Sequence, residues 1–81
     1  GVSIEVRGQR LDEALPRVEE FLDHAARAGR ARVLLIHGKG TGAMRRAVRD
    51  LLDRHPLVTR YETAERAEGG EGVTVAYLDV V

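Results

Sequence analysis

A histidine, a lysine and three glycines fall within one short segment, His37-Gly38-Lys39-Gly40-Thr41-Gly42. Glycine at alternate positions lets a backbone approach a ligand closely and take positive φ. A helix that begins just after such a turn offers unpaired N–H groups to an anion. Lys39, Arg45 and Arg46 add positive charge at the same edge. The natural guest is a phosphate, of a nucleotide or of a nucleic-acid backbone. The competing reading is a tight turn whose glycines serve geometry alone. His37 is a candidate proton-transfer group, since an imidazole has a reference pKa of about 6.5. Its bland alternative is a residue that caps a strand end. His24 and His55 are read as incidental surface residues.

Two familiar phosphate loops fit poorly. The Walker spacing of glycines, lysine and hydroxyl is absent. A dinucleotide fingerprint can be written as Gly38-x-Gly40-x-x-Ala43, with Glu62 downstream for a ribose hydroxyl. Only 38 residues follow Ala43, too few for a dinucleotide fold.

The elements that must hold this segment can be read from periodicity. Val2, Ile4 and Val6 alternate with Ser3, Glu5 and Arg7, the pattern of a half-buried strand that sends Glu5 and Arg7 to one face. Leu11, Leu15, Val18, Leu22 and Ala25 mark a helix from Leu11 to Ala28, with Gly29 as its stop. Pro16 conflicts with it and predicts a later start or a kink. Ala31–His37 reads as a central strand covered on both faces. Met44, Ala47, Val48, Leu51 and Leu52 give a second helix that ends before His55-Pro56. Val58–Glu62 reads as a strand, Ala64–Gly72 as a loop and Val73–Val81 as a last strand. The order β-α-β-α-β-β predicts an α/β two-layer sandwich with a four-stranded mixed sheet and two helices. Early strands should pair in parallel, and a hairpin should close the sheet.

Composition narrows the function. Eighty-one residues support one domain, residues 1–81, burying roughly 60–65% of the unfolded surface. The absence of cysteine excludes a disulfide framework, a thiolate metal site and a cysteine nucleophile. No apolar run approaches a membrane span, and the chain opens with Gly1. We expect a cytoplasmic domain excised from a longer chain, with no membrane partner. Between His24 and Arg49 lie seven basic residues and no acid, which leaves six basic and thirteen acidic residues elsewhere. That asymmetry favours a polyanion partner. A solvated arginine-rich helix face would give the same count.

The segments together resemble one family, the small MutS-related (Smr) domain. Ile4-Glu5-Val6-Arg7-Gly8 resembles its Leu-Asp-Leu-His/Arg-Gly opening motif, and Leu34–Arg46 its second motif. Glu68-Gly69-Gly70-Glu71-Gly72-Val73-Thr74-Val75 resembles its glycine-rich third segment. The version here is most similar to the C-terminal domain of the second bacterial MutS paralogue. The resemblance implies a fold like the C-terminal domain of translation initiation factor three. It also implies a nucleic-acid-binding domain that nicks DNA or cleaves RNA. The expected partners are branched or duplex DNA, RNA or the ribosome, and the remainder of a MutS-like ATPase chain on the nucleoid. A targeting module without chemistry is the alternative.

For a nicking endonuclease the roles divide as follows. His37 would move the proton, while Glu5 would orient a water, hold a divalent ion or steer His37. Arg7 and Lys39 would hold the scissile phosphate, helped by Gly38, Gly40, Thr41 and Gly42, with Arg45 and Arg46 on flanking phosphates. Glu5 replaces the family's usual aspartate. Arg7 stands where many members carry histidine and, always protonated, cannot act as acid or base. One carboxylate in the cleft could hold at most a loosely bound Mg²⁺ or Mn²⁺. With two tyrosines and one phenylalanine, little stacking surface exists, so backbone and shape readout should dominate over base reading.

Overall fold

The computed structural model describes residues 2–80, and the expected end of the last strand at Val81 lies outside them. The opening alternation becomes β1 (Val2–Glu5), followed by α1 (Leu11–Arg27), β2 (Arg32–Ile36), α2 (Ala43–Arg54), β3 (Val58–Thr63) and β4 (Val73–Leu78). Two short 3₁₀ turns, Arg66–Glu68 and Gly70–Gly72, occupy the expected loop. The result is an α/β two-layer fold, a four-stranded mixed sheet with two helices, in strand order β1-β2-β4-β3.

Parallel pairing among early strands holds for β1 and β2 only, with Ile4 opposite Leu35. The second crossover carries β3 past an open position, which β4 fills by pairing antiparallel with both β2 and β3. A β3–β4 hairpin does close the sheet.

The helical stripe of α1 buries Ala14, Val18, Leu22, Ala25 and Ala26, and α2 contributes Val48, Leu51 and Leu52. These pack on Ile4, Val6, Val33, Leu35, Ala76 and Leu78, every second residue of their strands, to form the main core. The helix α1 starts at Leu11 despite Pro16, so the later start does not occur. Its end is a Schellman arrangement, in which Gly29 N–H donates to Ala26 O and Arg30 N–H to Ala25 O.

The sheet's other face carries Leu34, Ile36, Val73, Val75 and Tyr77 around a smaller cluster with Ala64. The 3₁₀ segment folds over it, fastened by the Arg32–Glu68 ion pair at 2.5 Å. β2 is thus covered on both faces, by different layers.

Candidate phosphate-binding site

β1 and β2 run parallel, so the loops that follow them emerge side by side. Antiparallel β4 begins at the same edge, and β3 ends there. Ligands of such sheets sit beyond the carboxyl ends of parallel strands. The backbone N–H groups of His37 and Gly38 both donate to Gly72 O, at 3.1 and 2.9 Å. The glycine loop is therefore tied to the turn that precedes β4.

Gly38, Gly40 and Gly42 have φ of +77°, +43° and +87°, the left-handed region. Gly42 is the N-cap of α2, and the Thr41 hydroxyl accepts the Ala43 N–H at 3.3 Å. A Cβ on Gly38 would lie 3.0 Å from Arg7 Cγ, so the arginine stem rests against bare backbone. A Cβ on Gly40 would meet nothing within 4 Å. Alanine at either position should cost about 1 kcal/mol of backbone strain. Gly38→Ala should in addition displace Arg7 and weaken DNA binding, while Gly40→Ala should bind nearly as the parent does. Urea unfolding together with DNA titration separates the two effects, and equal binding losses would contradict the Arg7–Gly38 contact.

Glu5 and Arg7 face the open side of the sheet, with the Arg7 Nε donating to Glu5 Oε2 at 3.1 Å. That hydrogen bond, and then the charge of Arg7, hold the Glu5 carboxyl below the usual carboxylate range. Arg7 is raised for the reciprocal reason. Both are largely exposed, which screens the pair. Arg7, Gly38 and Lys39 line one groove with Glu68 and Gly69. Lys39 also lines a depression of about 380 Å³ between Gly8–Leu11 and the glycine loop. It stands at the meeting point of both.

His37 borders that depression with Lys39 but does not join Glu5 and Arg7. Residues 33, 35 and 37 alternate toward the helices, so its ring lies under α2, 4% exposed, on the other side of the sheet from Glu5 and Arg7. Nδ1 lies 2.8 Å from Gly38 O and therefore carries the proton, and Nε2 accepts from the Thr74 hydroxyl at 2.8 Å. Burial first, and then the charges of Arg49 and Arg45, push this imidazole below its ordinary value. Both ring nitrogens are thus engaged inside the protein, on the far side of the sheet from Glu5 and Arg7. His55, expected at the surface, is instead buried. It is 9% exposed, accepts the Leu57 N–H at 3.1 Å and faces Asp23 at 3.3 Å. His24 is exposed, as expected.

Residues 4–79 match the Smr domain family. The chain belongs to the Smr domain family. It is 49% identical over 77 residues to the endonuclease MutS2 of Bacillus velezensis, covering 95% of this chain and 10% of that protein. It thus spans about a tenth of the length of the curated relatives it matches. The Smr domain of Thermus thermophilus MutS2 superposes with a TM-score of 0.94 at 40% identity, covering 98% and 99% of the two chains. YdaL, a stand-alone small MutS-related protein from Escherichia coli, gives 0.91 at 30% identity, covering 95% of this chain and 63% of that one.

In this Smr domain the run of seven basic residues does not form one positive face. Arg27, Arg30 and Arg32 lie before or at the start of β2, at the opposite end of the strand from the glycine loop. Lys39, Arg45, Arg46 and Arg49 lie at the loop end, with Arg46 Nη1 3.1 Å from where a Gly42 Cβ would stand. Sequence reasoning missed Thr74, Gly72, Thr63 and Arg49 as parts of this end. Thr74 had a signal, being the polar residue in register with inward-facing Ala76 and Leu78.

A divalent ion is poorly served. Among the described residues no group of three or more His, Asp or Glu side chains could hold one. One oxygen of Glu5 is already engaged by Arg7. The second oxygen of Glu5 is left for a Mg²⁺ or Mn²⁺, which would take its remaining ligands from phosphate and water. Among them, too, no helix is long and apolar enough to cross a membrane.

Proposed function

We propose that this Smr domain grips a nucleic-acid backbone at the Arg7–Lys39 edge and hydrolyses one phosphodiester, nicking DNA by shape rather than by base sequence. The observation that carries the reading is the Arg7 side chain laid against left-handed Gly38, beside Lys39. One anion placed there meets a guanidinium and an ammonium, and Lys39 links that groove to the one beside the start of α2. Glu5, ionised and adjacent, is the group that can take a proton from a water attacking phosphorus as the P–O bond to the leaving oxygen breaks. The leaving oxygen takes its proton from solvent. Arg7 and Lys39 offset the charge that builds on the phosphoryl oxygens. The name endonuclease borne by the MutS2 relatives supports the same reading. In a longer MutS-like chain, the domain would bring nicking to branched DNA on the nucleoid, in control of recombination and repair.

A second reading is a targeting module for DNA, RNA or ribosomes without chemistry of its own. It is favoured by His37, whose two nitrogens are both engaged inside the protein. Supercoiled plasmid separates the readings. The domain should relax it, and Glu5→Gln, which can still accept from Arg7, should slow nicking by roughly a hundredfold while DNA affinity stays within about threefold. Plasmid that is bound but stays supercoiled would establish the targeting module. Binding and cleavage confined to RNA would move the substrate class.

A further inference from the structure

Arg45 and Arg49 stand one turn apart on α2, on the side toward β3. The Nη2 atoms of both donate to the same acceptor, Thr63 Oγ1, at 3.3 and 2.9 Å. Two cations thus converge on one neutral hydroxyl. Like charges at this helical spacing repel. Moreover, the Nε atoms of both arginines are buried and have no hydrogen-bond partner among the described residues. Buried donors of this strength are normally satisfied.

The acids nearby relieve them only in part, the charge of Asp53 offsetting some of the push on Arg49 without a hydrogen bond to it. Asp53 accepts the Tyr61 hydroxyl at 2.7 Å, and Tyr61 lends Arg49 only its ring face, 5.2 Å from the guanidinium carbon. Glu71 lines a groove that Arg45 shares with the Lys39–Gly42 loop, without a hydrogen bond to either arginine. Burial, and then the charge of Arg45, push Arg49 down, as expected for a cation crowded by another. A tetrahedral oxyanion has the lone pairs and charge that this cluster lacks. The cluster is also continuous with the first site, because Lys39 and Thr63 line one groove.

We propose that Arg45, Arg49 and Thr63 form a second phosphate site, which holds a further backbone phosphate of the strand gripped at Arg7 and Lys39. The inference rests on the nucleic-acid reading above and gives the strand a path, from Lys39 across the start of α2 to the end of β3. It also separates Arg45 from Arg46, which folds back over Gly42 instead.

Thr63→Glu tests it, because a fixed carboxylate would occupy the site. The variant should melt at or above the parent temperature yet bind duplex DNA roughly fivefold to tenfold more weakly, on every sequence alike. Thr63→Gln, of similar size but uncharged, should melt no higher than the parent. Arg49→Gln should lower the log–log salt slope by about 0.9. Thr63→Glu binding as the parent does, or an unchanged slope for folded Arg49→Gln, would overturn the proposal. Inorganic phosphate is read separately, so that failure of the DNA reading is distinguishable. Phosphate should raise the melting temperature of the parent and of Arg7→Ala above that in chloride of equal ionic strength. The rise should be smaller for Arg49→Gln, which keeps only the Arg7–Lys39 site, and an equal response in Arg49→Gln would also overturn the second site.

Discussion

Arg7→Ala should slow plasmid nicking by roughly a hundredfold or more, the scale seen when one preorganised donor to a developing oxyanion is removed. The Arg7 guanidinium is held at two points, by its Nε–H on Glu5 at 3.1 Å and by its stem against Gly38. It needs no reordering when a phosphate arrives, so its contribution grows as charge develops in the transition state. Arg7→Lys should not restore the rate, because an ammonium cannot keep one donor on Glu5 and present a planar fork to phosphate. DNA affinity should fall as well, since the ground-state phosphate meets the same group. Single-turnover nicking at saturating enzyme separates the two losses. Arg7→Ala that nicks within threefold of the parent would remove Arg7 from the site.

His37→Ala should destabilise the domain by about 3 kcal/mol, combining a buried cavity with two unsatisfied groups, the Thr74 hydroxyl and the Gly38 carbonyl. For a domain of this size that is a drop in melting temperature of roughly 12–24 °C. A proton-transfer role predicts the opposite pattern, a stable domain that does not cleave. The pH dependence makes the test sharper. The folded imidazole is held below its ordinary value by burial, so the unfolded chain takes up a proton first as pH falls through about 6.5. The parent should therefore keep this contribution above about pH 6.5. It should lose it progressively as pH falls from there toward the depressed folded value, with no further loss below. The stability difference between parent and His37→Ala should shrink across that window. A difference that is flat with pH would mean that the ring titrates alike in both states.

Much of this arrangement is legible in the amino-acid sequence. The alternation of Val2, Ile4 and Val6 and the stripes through Val18, Leu22 and Ala25 and through Val48, Leu51 and Leu52 state their faces directly, because one side of each element is wet and the other dry, whereas Leu11, read into the first stripe, is exposed. The left-handed glycines were legible because few residues other than glycine tolerate that backbone. Parity along a strand also held the answer for His37. It lies in step with Val33 and Leu35, and so faces the helices, whereas Glu5 and Arg7 lie out of step with Ile4 and Val6. Proximity in the family motif obscured that difference in side. The place of β4 was not legible, since pairing partners depend on which sheet edge a crossover leaves open, and both edges of β2 suit an apolar strand. Nor was the convergence of Arg45 and Arg49 on Thr63, which depends on how α2 is set against the end of β3.

The strand order has a consequence for biosynthesis. Of the six helices and strands, one of the two central strands of the sheet, β4, is translated after the other five, and until it arrives β3 has no neighbour and β2 has only β1. The domain cannot assemble stepwise as it leaves the ribosome. It must wait for residues 73–78, with the wide sequence separations that slow folding. The carbonyl that fastens His37 and Gly38 belongs to Gly72, immediately before that strand. A nascent chain stopped short of β4 therefore carries Arg7, Lys39 and the glycines but no organised grip on phosphate. On the nicking reading proposed above, a partly made domain of this design would be harmless to the DNA around it.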